Sequence, residues 1–270
     1  MGDNRPVLTI ATVNVNGIRA AFRRGMGEWL AERAPDVLLL QEVRAPDEML
    51  SEFFAPAQWD LAHHESMTKG RSGVAIASRL PMRGVRIGLD HGVATNSGRW
   101  VEADVELPGG GALTVVSTYI HSGTVGTPSM EEKYAFLDLV TARMDALREA
   151  GGYALVAGDV NIAHREVDIK NWKGNLKSAG FLPEERAYLD RWFEAGWVDL
   201  GRELGGEGPG PYTWWSWRGQ AYDNDAGWRI DYQIATPGLA ERAQKAEVDR
   251  APSYAERFSD HAPLLVTYDL

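Results

Sequence analysis

Val7-Leu-Thr-Ile-Ala-Thr-Val-Asn-Val15 is a run of β-branched and apolar residues closed by Asn16-Gly17, and it reads as a β-strand ended by a turn. The period then changes. Ile18, Phe22, Met26, Trp29 and Leu30 recur at helical spacing, so a helix is expected over Ile18–Arg33, stopped by Pro35. Val37–Leu40 reads as a short buried strand, and Gly73–Ser78, Trp100–Leu107 and Ala112–Ile120 read as further strands. Ser129 and Glu132 have the spacing of a capping box at the head of a second long helix. Tyr134, Leu137, Val140, Met144 and Leu147 form its stripe, and Gly151-Gly152 ends it. Tyr153–Ala157 reads as a strand, Pro183–Ala195 as a helix, and Tyr212–Trp217, Trp228–Ala235 and Leu264–Tyr268 as three late strands. Strands outnumber helices, and the long helices fall between groups of strands. That order predicts two packed β-sheets flanked by helices. Without an internal repeat or linker, residues 1–270 are expected to form one domain.

The chain has 270 residues, 44% hydrophobic and 24% charged, which is too apolar and too balanced for disorder. A domain of this size buries about three quarters of its unfolded surface and needs no covalent staples. The absence of cysteine excludes disulfides, thiolate catalysis and Cys-ligated metals. No apolar run reaches the length of a membrane span, and Met1–Asn16 lack the pattern of a secretion signal, so a cytoplasmic protein is expected. The net charge of −10 argues against coating nucleic acid by bulk charge, although it leaves room for a local basic strip and for an acidic pocket holding cations.

The acids are placed unevenly. Glu42 follows Val37–Gln41, Asp159 follows Tyr153–Gly158, Asp231 interrupts Trp228–Ala235, and Asp260-His261 precede the last strand; Asn14 ends the first. One acid at a strand end is ordinarily a turn former. Four on one rim would repel unless a cation joined them. With Asn14 and Asn161 as neutral oxygen donors and no thiolate, the donor set suits Mg²⁺ or Mn²⁺. No Gly-rich loop ends in Lys-Ser/Thr, so metal-assisted hydrolysis of a phosphate ester is the expected class, rather than a nucleotide triphosphatase.

Several motifs are specific enough to mark a family. They are Thr12-Val-Asn-Val-Asn-Gly-Ile-Arg19, Leu40-Gln-Glu-Val43, Gly158-Asp-Val-Asn-Ile162, Trp228-Arg-Ile-Asp231 and Ser259-Asp-His-Ala-Pro263. With them the chain resembles the exonuclease III group of apurinic/apyrimidinic (AP) endonucleases, in the endonuclease/exonuclease/phosphatase superfamily. The segment from Val167-Asp-Ile-Lys-Asn-Trp to Pro183-Glu-Glu-Arg186 resembles the DNA-repair branch rather than the lipid and inositol phosphatases. The resemblance implies a four-layered α/β sandwich with two mixed sheets. It also implies Mg²⁺-dependent cleavage 5′ to abasic sites in double-stranded DNA, with 3′→5′ exonuclease and 3′-end-cleaning activity, by a monomer. A metal-dependent phosphatase acting on a lipid or small phosphate ester is the alternative.

Site roles follow by resemblance. Glu42 matches the main metal ligand, with Asn14 and Asp260 near it. Asp159 matches the group that activates or orients the attacking water, and Asn161 would hold that water or a phosphate oxygen. Asp231 would orient His261, which would bond the scissile phosphate, with Tyr119 close by. The sequence leaves one metal or two open, since Asp159, Asn161 and His261 could ligate a second. Trp214, Trp228 and Ile230 match an apolar pocket for a flipped-out abasic deoxyribose, whose extrusion is cheapest where no base is stacked. Strand alternation would turn Trp215 away from Trp214. Lys69, Arg71 and Asn175, with Lys170, Lys173 and Lys177, are expected on DNA phosphates, and Arg218 as a groove wedge. One departure stands after Tyr119: His121-Ser122 replaces the family's Pro and amide, which puts a phosphate contact in question.

Overall fold

A computed structural model describes residues 7–89 and 97–270; residues 1–6, part of the segment read for a leader, lie outside them. Twelve strands form two six-stranded sheets among the described residues. The first contains β1 (Val7–Asn14), β2 (Val37–Gln41), β3 (Asp60–His64), β4 (Val74–Ser78), β11 (Ala243–Val248) and β12 (Leu264–Asp269), in the order β11-β12-β1-β2-β4-β3. The second contains β5 (Met82–Ile87), β6 (Trp100–Glu106), β7 (Ala112–Tyr119), β8 (Tyr153–Asp159), β9 (Val198–Asp199) and β10 (Asp231–Ala235), in the order β5-β6-β7-β8-β10-β9. In each sheet one central pair is parallel, β1/β2 and β7/β8, and a helical crossover joins its members, as parallel strands require.

The sheets pack face to face. Leu8, Ile10, Val37, Leu39, Ile76 and Val266 of the first meet Val101, Val105, Leu113, Val115 and Leu155 of the second in one buried cluster. The outer face of the first sheet is covered by helical residues 18–33 and by Asp47–Phe53, through Ile18, Met26, Leu30 and Leu50. The outer face of the second is covered by Pro128–Ala150 and Pro183–Glu194, through Phe136, Leu137, Val140, Leu189 and Trp192. This is the expected four-layered α/β sandwich.

Three local expectations change. The first helix is broken: Gly25 has φ +104°, so the chain runs through a wide turn over Phe22–Met26 before continuing as Gly27–Arg33. The second long helix starts at Pro128, after Thr127, and no side chain caps it. Pro at the first helical position supplies the start instead, because its fixed φ and missing N–H suit that place, and Ser129 lies inside. Tyr212–Trp217 is not a strand. Only Trp214 forms bridges there, to Trp228 and to His261, because the segment is pinned between two neighbours at the rim. Trp215 nevertheless points away from Trp214, into a separate cluster with Tyr212, Tyr222 and Ala262.

Candidate active site

The parallel pairs stop at polar residues, and those stops face one another. In the first sheet Asn14 pairs with Gln41, and Glu42 comes next. In the second, Tyr119, Asp159 and Asp231 share one register across β7, β8 and β10. Asp260 and His261 lie just before β12, the antiparallel neighbour of β1. One rim therefore receives acids from both sheets.

Hydrogen bonds join the two halves. Asn14 Nδ2 donates to Asp159 Oδ2 at 2.9 Å and to Glu42 Oε1 at 3.1 Å. Its Oδ1 accepts from the Asn16 N–H at 2.9 Å, so the amide oxygen faces its own turn and the NH₂ faces the acids. Asn161 donates through its backbone N–H to Asp159 Oδ1 at 2.9 Å and through Nδ2 to Asp159 Oδ2 at 3.0 Å. Asp260 accepts from Asn16 Nδ2 at 2.8 Å and from the Trp214 indole at 3.1 Å. His261 Nδ1 lies 2.8 Å from Asp231 Oδ2, and its Nε2 faces Asp159 Oδ2 at 3.8 Å. Glu42 (φ +48°) and Asn161 (φ +53°) are both left-handed, a conformation that costs a non-glycine residue about 1–3 kcal/mol and is held here by the surrounding bonds.

Burial sets the electrostatics. Desolvation pushes the Asp159 carboxyl up to about 8; His261 opposes this, while Asp231 and Glu42 add to it. Desolvation alone would lower His261, but the charges of Asp231, Asp159 and Asp260 outweigh it and raise the imidazole to about 10. Burial would raise Asp260, yet His261, Asn16 and Trp214 hold it below the ordinary carboxyl value. The Tyr119 phenol is raised well above its usual value by burial and by Glu42 and Asp159.

The donor set fits a cation. Asp159, Asp231 and His261 each offer a ligand atom, and these atoms lie within 4.8 Å of one another. Asp231 Oδ1 is buried with no hydrogen-bond partner among the described residues. Oxygen donors with one imidazole and no thiolate suit a hard divalent ion, whose charge would relieve the repulsion that raises Asp159. Asp231, expected only to orient His261, belongs to this group, and Glu42 reaches the same place through Asn14.

A cleft of about 400 Å³ opens over the rim. Trp214, Trp228 and Ile230 line it together with Ser178, Ala179 and Gly180. The two tryptophan rings meet edge to face with centroids 6.1 Å apart. Lys69, Arg71, Asn175 and Arg218 do not line it. Arg71 lines a neighbouring groove that shares Glu42, Arg44, Tyr119 and Ser122 with the cleft. Lys69 lies further out, Asn175 bonds the Asn171 carbonyl, and Arg218 is exposed in the turn after Trp217. Sequence reasoning passed over Asn16, read only as a turn residue, and Arg44, which bonds Glu42. It also passed over Ser259, whose hydroxyl donates to the Asn14 carbonyl at 2.7 Å, and Arg99, over the Tyr119 ring at 5.4 Å. Their signal is adjacency to a motif, as in Asn16 beside Asn14.

Residues 11–261 match the profile of the endonuclease/exonuclease/phosphatase family. An exodeoxyribonuclease of Bacillus subtilis is 30% identical over 252 residues, 93% of this chain and 95% of its own. A DNA-(apurinic or apyrimidinic site) endonuclease of Dictyostelium discoideum is 29% identical over 97% of this chain and 71% of its own. Among solved structures, an AP endonuclease from Archaeoglobus fulgidus superposes with a TM-score of 0.85 at 29% identity, covering 97% of this chain and all of its own. The 3′-5′ exonuclease NExo of Neisseria meningitidis gives 0.86 at 26% identity, with the same coverage.

Proposed function

Since the chain belongs to the endonuclease/exonuclease/phosphatase family, we propose that it is a metal-dependent DNA-repair phosphodiesterase that cleaves 5′ to abasic sites in duplex DNA and also trims and cleans 3′ ends. The observation that carries this reading is the rim itself: an Asp231–His261–Asp159 series faces an Asn14–Glu42 pair beside a tryptophan-walled cleft. Relatives named as AP endonuclease and exodeoxyribonuclease support it.

A phosphodiester under attack by water gathers charge on its non-bridging oxygens. Glu42, Asp159 and Asp260 would hold a divalent cation, which we read as Mg²⁺ with Mn²⁺ as a substitute, while Asp231 keeps His261 as an imidazolium beside that set. When bound, that ion neutralises the developing charge. His261, kept protonated by Asp231, presents Nε2–H to a non-bridging oxygen. Asp159 takes the proton of the attacking water, and Asn161 holds that water beside it, its own geometry fixed by two bonds to Asp159. Tyr119 stays a neutral donor because its acidity is suppressed. Trp214, Trp228 and Ile230 accept an extruded abasic sugar, whose extrusion costs least where no base is stacked. The same reaction on a 3′-blocked end gives end cleaning. Residues 1–270 act as one domain, and we read the protein as a cytoplasmic monomer.

The test is a duplex carrying one abasic analogue, incubated with and without Mg²⁺ after EDTA treatment. Incision 5′ to the analogue, lost with EDTA and restored by Mg²⁺, is expected. An intact duplex beside cleavage of a lipid or inositol phosphate would overturn the reading.

A further inference from the structure

Lys133 is a cation with no access to water. It sits on the inner side of the helix Pro128–Ala150, and it and Glu185 are both 0% exposed. Its Nζ spends all three hydrogens: on Glu185 Oε1 at 2.5 Å, on the Asn161 carbonyl at 2.9 Å and on the Ser122 carbonyl at 3.1 Å. Glu185, in the first turn of Pro183–Glu194, uses its other oxygen for the N–H groups of Gly180 at 2.6 Å and Leu182 at 3.1 Å. One buried pair thus grips three separate connections.

Each of these connections reaches the cleft, which Ser122, Asn161 and Gly180 all line. Asn161 is left-handed, and Lys133 fixes its carbonyl while its side chain bonds Asp159. Gly180 abuts both Asn161 and Trp228. A Cβ there would stand 3.0 Å from the Asn161 carbonyl oxygen and 3.1 Å from Trp228 Cζ3. Stability does not explain the pair, because two charges taken out of water gain little over apolar side chains of the same volume. What the charges add is direction, since an ammonium and a carboxylate demand defined backbone partners where apolar groups would not.

We propose that Lys133 and Glu185 are positioning residues for the hydrolytic reaction, holding Asn161 against Asp159 and Gly180 against Trp228 so that the hydrolytic and sugar-binding ends of the cleft keep one spacing. This rests on the function proposed above. The pair touches no substrate and acts through Asn161 and Gly180.

The test uses the full chain with Lys133→Met and Glu185→Leu together, so that neither charge is stranded, assayed well below the variant's melting temperature. Two quantities are read: kcat and KM on the abasic duplex, and proton exchange of the Asn161 side-chain amide by NMR, assigned with Asn161→Asp. The expected result is a kcat at least tenfold lower with KM within threefold, and amide exchange at least tenfold faster. With an active parent both changes are required, and either alone overturns the proposal, as does neither. If the double variant does not fold, Lys133→Gln with Glu185→Gln, an uncharged hydrogen-bonding pair, is read the same way with threefold thresholds. A parent that leaves the abasic duplex intact refutes the functional reading, and the Asn161 amide then decides the role of Lys133 by itself.

Discussion

His261 holds its Nδ1 2.8 Å from Oδ2 of Asp231, an acid that no solvent reaches, thirty residues earlier in the chain. A carboxylate in that place fixes the ring orientation and favours the imidazolium, which is the form that can donate to a phosphate oxygen. Removing a donor aimed at transition-state charge typically costs about 10²–10³ in rate. Asp159→Asn and His261→Asn are therefore each expected to lower turnover of an abasic duplex by about 10²–10³-fold while the melt stays cooperative, its midpoint moving with the lost charge. Steady-state incision beside thermal melting checks this, and near-parental turnover in either variant removes that residue from the mechanism.

The same acids make metal-free stability depend on pH. Asp159 rises from 3.8 to about 8 and His261 from 6.5 to about 10 on folding. Between each ordinary value and its raised one, the folded protein binds more protons than the unfolded chain, so stability falls as pH rises through both windows. Melting of the EDTA-treated protein is expected to drop between about pH 6 and about pH 9. A saturating divalent cation, which favours ionised carboxylates, should flatten that slope. A metal-free melting temperature that rises over this range would contradict the burial of these groups.

Trp228 meets Trp214 edge to face in the cleft proposed to take the abasic sugar. Trp228→Ala opens the slot, so discrimination between abasic and intact duplex should fall by roughly tenfold or more, the scale of a lost apolar pocket contact. A competition assay with both duplexes measures it, and unchanged selectivity would place the specificity elsewhere.

Gly158 stands directly before Asp159 with φ +143°, and a Cβ there would lie 2.0 Å from the Thr118 carbonyl oxygen. Nothing flexible can give way, because the obstacle is the backbone of the parallel neighbour β7. Gly158→Ala is expected to destabilise the fold by about 3 kcal/mol, combining strain and overpacking. In a chain of this size that lowers Tm by about 5 °C. Differential scanning calorimetry reads the shift, and activity should fall with it because Asp159 moves.

Much of the layout was legible in single segments. Apolar runs such as Val37–Leu40 and Tyr153–Ala157 mark strands because both faces of a central strand are buried, and that information is local. The segments that misled are those decided by neighbours. Tyr212–Trp217 has the residues of a strand, but it is held by bonds to Trp228 and Asp260 at the sheet rim, which leave it no ladder. β3, β5 and β11 are edge strands with mixed exposure, so they carry weak patterns. Lys133 and Glu185 look like ordinary surface charges on two helices, and nothing nearby in the chain says that they meet across 52 residues.

The sequence by itself determined the strand and helix alphabet, the family motifs and the kinds of donor available, because backbone preference, periodicity and side-chain chemistry are properties of short segments. Only the tertiary structure decided which donors share a rim: Asn14 with Asp159, 145 residues apart, and Asn16 with Asp260, 244 apart. It also decided that Asn14 offers hydrogens rather than oxygen to the acids, and that Arg218 and Asn175 stand outside the cleft. The physical reason is that burial, mutual repulsion and hydrogen-bond direction arise between residues the folded sheets bring together, and a linear pattern contains none of those distances.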